Sequence, residues 1–91
     1  MIIRSQNKTI IININNASNI YMQGFEIWVN TFHGIVKIGT YSTEEKAIKV
    51  LDMIQNAYTQ YGTLKDGLGS IHGAFNLPKC FQMPSDAEVE V

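Results

Sequence analysis

The run Ser42-Thr43-Glu44-Glu45-Lys46-Ala47-Ile48-Lys49-Val50-Leu51-Asp52-Met53-Ile54-Gln55 reads as the body of a helix. Its start has a chemical cause. Ser42 is placed to accept a hydrogen bond from the Glu45 amide, and Glu45 to reach back to Ser42, which makes a capping box. Glu44 and Glu45 sit where the positive end of the helix dipole favours acid. Ala47, Leu51, Ile54, Tyr58 and Tyr61 recur at three- and four-residue steps, flanked by Ile48, Val50 and Ala57. They form one broad apolar stripe. Gly62 is the expected left-handed stop. A helix over 42–61 spans roughly 28 Å at about 1.5 Å per residue. That is enough to cover a small sheet, and Leu51→Ala is expected to cost about 2–5 kcal/mol if Leu51 lies in the interface.

Upstream the pattern is strand-like. Ile2 to Arg4 is a short first strand, and Ser5 to Lys8 a polar turn. Thr9 to Ile14 is a β-branched run too apolar for a strand with one solvated face. Asn15 to Asn19 is a loop by composition. Ile20-Tyr21-Met22 and Phe25-Glu26-Ile27-Trp28-Val29-Asn30 are strands broken at Gln23-Gly24. In the second, Phe25, Ile27 and Val29 point one way, and Glu26, Trp28 and Asn30 the other. Phe32-His33-Gly34 turns the chain into Ile35 to Tyr41. Short polar turns make an antiparallel meander the economical topology. Downstream, 62–79 is glycine-rich and reads as a loop, 80–84 as a last strand, and 85–91 as a solvated acidic tail. The expected architecture is one α+β domain over 1–91: a small antiparallel sheet, one long helix packed across it, and a late C-terminal strand.

Composition excludes several function classes. The 91 residues carry a net charge of −1 and 16% charged residues. The seven basic residues are scattered, so no DNA or RNA surface is expected. No apolar run approaches membrane-span length, and no leader pattern opens the chain. Cys80 is the single cysteine. It excludes an internal disulfide and fits a reducing, cytoplasmic setting. Its apolar context predicts a buried, inert thiol. One Trp, four Tyr and four Phe among so few charges point to a homo-oligomer, because a chain this short is poor in core.

No catalytic or metal-ligand spacing is present. His33 and His72, the only histidines, have no acid at ligand spacing. Gly67-Leu68-Gly69-Ser70-Ile71-His72-Gly73 follows a helix rather than a strand, and its spacing is not the dinucleotide fingerprint. The chain therefore reads as a non-enzyme without metal or cofactor. It does carry groups suited to a planar ligand. Trp28, Tyr21, Tyr41, Phe75 and Phe81 offer stacking surfaces. Asn30, Asn76 and Gln82 offer edge-reading amides. Arg4, Lys37 and Lys79 offer charge for phosphate. The usual fate of aromatics in a small β protein is the core. The candidate ligand-binding set is Trp28, His72, Phe75, Asn76, Lys79 and Arg4, with the 62–79 loop as a lid or as a linker to a swapped last strand.

Three blocks carry a resemblance: Ile2-Ile3-Arg4-Ser5-Gln6, then Tyr41 to Ile48 through Ile54-Gln55, then Phe81-Gln82-Met83-Pro84-Ser85-Asp86 with Glu88-Val89. Together they resemble a family of small proteins encoded by phages and prophages of low-GC Gram-positive bacteria. More loosely, the layout is similar to phage anti-defence sponges, including the Thoeris anti-defence proteins. The resemblance implies an oligomer that sequesters a cyclic nucleotide or cyclic ADP-ribose-like signal without cleaving it. The alternative is a phage protein that blocks a host protein by docking, for example along an exposed strand edge.

Overall fold

The computed structural model describes residues 1–68 and 80–91. Its strands are β1 (Ile2–Arg4), β2 (Ile11–Asn13), β3 (Ala17–Gln23), β4 (Glu26–Thr31), β5 (Gly34–Thr40) and β6 (Cys80–Gln82), and its helix is α1 (Glu44–Leu68). The architecture is α+β, with the helix packed across two small sheets. One sheet has the order β3-β4-β5 and is the expected antiparallel meander. The other has the order β2-β1-β6.

The single sheet expected over residues 1–41 is thus divided in two. Asn13 causes the break: its side chain accepts from the Asn15 amide and starts a 3-10 turn over Ile14–Asn16. The last strand also differs from a simple meander, because β6 runs parallel to β1. Parallel pairing needs a long crossover, and here β2 to β5 and the helix all lie between the two strands. Gln6 ties the two sheets together. Its backbone amide donates to the Ile38 carbonyl at 2.8 Å. Its side-chain amide then donates to the Thr40 carbonyl and accepts from the Thr40 amide, both at 2.9 Å. One glutamine therefore continues the ladder where β1 has already ended.

One core joins both sheets. Ile3 and Ile12 come from the first, Met83 from the residue after β6, Ile27, Val29 and Ile38 from the second, and Ala47, Val50 and Ile54 from the helix. The helical seam is rotated from the expected stripe. Val50 is buried, Leu51 is half-buried, and Ile48 and Tyr58 are exposed. Leu51→Ala therefore belongs at the lower end of its range, about 2 kcal/mol. The cap also shifts by one residue. Thr43 Oγ1 accepts from the Lys46 amide at 3.1 Å, while the Ser42 amide donates to Asp86 Oδ1 at 2.7 Å. The helix continues past Gly62 to Leu68.

The C-terminal tail is docked rather than solvated. Lys46 Nζ donates to the Asp86 carbonyl at 3.0 Å and lies 3.4 Å from its carboxylate. The Ser42 amide first, then the Ser42 side chain and Lys46, hold the Asp86 carboxyl below its ordinary range. Ser85 and Glu88 form a capping box around a 3-10 turn, and Val89 is buried. Tyr41 completes the latch: its hydroxyl donates to the Pro84 carbonyl at 2.8 Å. Burial, and then the charges of Asp86 and Glu88, push the phenol up to about 12.

A phenol pKa raised in the folded state contributes stability that is present in full below the unfolded value, about 10. That contribution is lost as pH rises from about 10 through about 12. The urea midpoint should therefore fall above pH 10, and fall less in Tyr41→Phe. At neutral pH that variant should lose about 1–3 kcal/mol, because the buried Pro84 carbonyl keeps no partner.

Candidate binding face

The strand β4 alternates as its sequence requires. Ile27 and Val29 enter the core, and Glu26, Trp28 and Asn30 lie on the opposite face. Two tight turns set what stands beside them. Gln23 pairs with Glu26 across Gly24-Phe25, where Gly24 has a φ of 62°. A positive φ at the first turn position suits glycine in a two-residue hairpin. Thr31 pairs with Gly34 across Phe32-His33. Thr31 Oγ1 donates to the Gly34 carbonyl at 2.8 Å and accepts from the His33 amide at 3.2 Å.

These registers build three rows across the outer face. Tyr21, Trp28 and Lys37 form one, Asn19, Asn30 and Ile35 the next, and Gln23, Glu26 and Thr40 the third. Directly opposed residues share a face and interact there. The indole is pinned at its edge: Trp28 Nε1 donates to Glu26 Oε1 at 3.3 Å. Glu26 Oε2 accepts from Lys37 Nζ, also at 3.3 Å. The Lys37 ammonium lies 6.0 Å from the Trp28 ring centroid, at the outer limit of a cation–π contact. The exposed Lys37–Glu26 pair adds little stability. Its role is positional, because it fixes the indole and keeps a cation beside it. Asn19, Gln23, Ile35 and Lys37 are exposed, while the helix covers the opposite face.

At the far end of the β3–β4 ladder lies a cleft of about 260 Å³, lined by Asn15, Asn16, Ala17, Ser18, Thr31 and Phe32. A register shift between Ala17 and Asn19 opens this end of the ladder. A second hollow, beside Gln6 and Thr40, holds only about 70 Å³.

The residues named from sequence are not all brought together. Trp28 lies at the centre of the face. Arg4 is in the other sheet, exposed, with its Nε donating to the Lys8 carbonyl at 3.1 Å. It fastens the β1–β2 turn and is not part of the Trp28 face. His72, Phe75, Asn76 and Lys79 lie outside the described residues, as do residues 69–79 of the expected loop, whose first part, through Leu68, is helix instead. Tyr41 is core and latch rather than a stacking surface. Gln82 donates to the Ser5 and Met83 carbonyls, so its amide is structural. Cys80 is exposed, not buried. It alternates on β6 with Phe81, which packs against the core.

Sequence reasoning missed the Asn15–Ser18 and Thr31–Phe32 cleft. It also missed the grouping of Tyr21 and Lys37 with Trp28. The signal for the second was present: a two-residue turn at Gly24-Phe25 fixes Tyr21 opposite Trp28. Among the described residues, no three His, Cys, Asp or Glu side chains converge as a metal site, and no helix is long and apolar enough to cross a membrane. Comparison with protein-family models, with curated proteins and with solved structures gives no match.

Proposed function

We propose that the protein is a non-catalytic binding module that captures a planar, nucleotide-like ligand on the outer face of β3-β4-β5. The observation that carries this reading is the opposed Tyr21–Trp28 pair, with the indole pinned by Glu26 and the Lys37 ammonium beside it. A base stacked on such a ring gains about 1–3 kcal/mol. Lys37 supplies charge for a phosphate, and the Asn19–Asn30 row supplies amides that donate and accept. The ligand class is a cyclic nucleotide or a cyclic ADP-ribose-like signal, held intact. Sequestration of such a signal is the phage anti-defence role that the sequence resemblance implies. The reading includes self-association. A flat sheet covers one side of a ligand, whereas small-molecule sites bury about 70–90% of it. A second copy supplies the other wall.

Calorimetry with a panel of cyclic nucleotides and cyclic ADP-ribose isomers tests this. Trp28→Ala should weaken binding roughly ten- to hundredfold while leaving the fold unchanged, because Trp28 lies outside the core. No heat with any member of the panel rejects the reading. A second reading rests on a different observation. The seven-residue β3 is an edge strand of its sheet, and an open edge can take a strand from a host protein. A host protein recovered by pull-down, together with no nucleotide binding, selects it.

A further inference from the structure

We propose that the cleft between the Asn15–Ser18 segment and the Thr31–Phe32 turn binds a neutral, polyhydroxylated ring. The ring is either the ribose of a nucleotide or a free sugar unit. The cleft is separate from the Trp28 row, and the proposal does not depend on the sheet-face reading.

Charge is the first observation. The described lining consists of Asn15, Asn16, Ala17, Ser18, Thr31 and Phe32, with no ionisable side chain. A phosphate or carboxylate would find no countercharge there, so a neutral ligand fits. Hydrogen-bonding capacity is the second. The Asn15 and Asn16 side-chain amides have no partner among the described residues. Each offers a carbonyl acceptor and two N–H donors. A sugar hydroxyl both donates and accepts, so vicinal hydroxyls complement a pair of such amides. The third is Phe32, which is 88% exposed on a turn held by Thr31 Oγ1 at 2.8 and 3.2 Å. An exposed ring on a held turn, beside free amides, offers an apolar surface to the C–H face of a sugar. The volume, about 260 Å³, lies just below the range of about 300–1,000 Å³ common for larger ligands. It suits one ring rather than a whole dinucleotide.

The test follows the Asn15 and Asn16 side-chain NH₂ resonances by NMR in the full chain. The probes are D-ribose, D-glucose, adenosine and adenosine monophosphate. Saturable shifts at both amides are expected with at least one probe. Shifts with the nucleosides alone assign ribose within a nucleotide, and shifts with a free sugar assign a sugar unit. Phe32→Ala should weaken the response about tenfold, the loss of one aromatic contact. The joint variant Asn15→Ala with Asn16→Ala should abolish it, read on the remaining backbone amides of the cleft. Both variants change exposed positions, and unchanged amide dispersion elsewhere shows that the fold is kept. No saturable shift at Asn15 or Asn16 with any probe overturns the proposal. So does a response that survives both variants. Quenching of Trp28 emission without shifts in the cleft supports the sheet-face reading while overturning this one.

Discussion

Ile27→Ala is expected to lower stability by about 2–5 kcal/mol, the range for truncating a buried branched side chain that leaves a cavity. Ile27 has no exposed surface. It stands on the core face of β4, opposite Gly39 and Met22, where the sheet meets the packing that Met83 brings from the C-terminal segment. Its surroundings cannot collapse freely. Gly39 lies against Tyr41, and an added Cβ there would meet the Tyr41 ring at 3.0 Å and Met83 at 3.1 Å. Small domains hold only about 5–15 kcal/mol in total, so the loss is a large share. A urea melt followed by far-UV circular dichroism reads it. A shift worth less than about 1 kcal/mol would show that this part of the core is loosely packed.

Val89→Asp should cost at least about 3 kcal/mol, because it leaves a carboxylate buried without a partner. Val89 is 4% exposed, although it is followed by only Glu90 and Val91 in this sequence. The neighbouring acids, Asp86 and Glu88, make an added charge worse. Glu88 is already held below its ordinary range, first by the Ser85 amide. The exposed Val91→Asp is the matched control, with an expected change within about 0.5 kcal/mol. Equal, small effects at both positions would return the tail to solvent and remove the latch built from Tyr41, Ser42 and Lys46.

Those two residues show what the sequence could and could not reveal. The alternation in β4 identified Ile27 as a core residue and Trp28 as facing away from it. A strand's period is local and is set by the pleat itself. Val89 looked like part of a polar tail because its neighbours are acidic. Only the approach of Asp86 to Ser42, across 44 positions of chain, buries it. The same long-range contact moved the helix cap from Ser42 to Thr43, since the Ser42 amide was already engaged. Helical spacing does not distinguish Val50 from Leu51 when both are apolar. Which one faces inward is settled by where two sheets meet.

The division into two sheets was hidden for a similar reason. Ile12 and Ile14 are equally β-branched, yet Asn13 between them starts a 3-10 turn by accepting from the Asn15 amide. The parallel partner of β1 lies near the other end of the chain, beyond the reach of any local pattern. For the candidate site, Trp28 was legible, and its partners were recoverable from the Gly24 turn. The cleft was not, because asparagines at a loop and a phenylalanine at a turn meet only through the β3–β4 register.

The central claim is that Trp28 lies on a face that takes up a planar ligand. Trp28 is the only tryptophan, so its emission reports on that face alone. Titration with cyclic nucleotides and cyclic ADP-ribose isomers, followed by recovery of the ligand on heating, is the direct measurement. Saturable quenching with one of them, and return of that ligand chemically intact, is the predicted result. Emission unchanged across the whole panel, or recovery of a cleaved product, would contradict it.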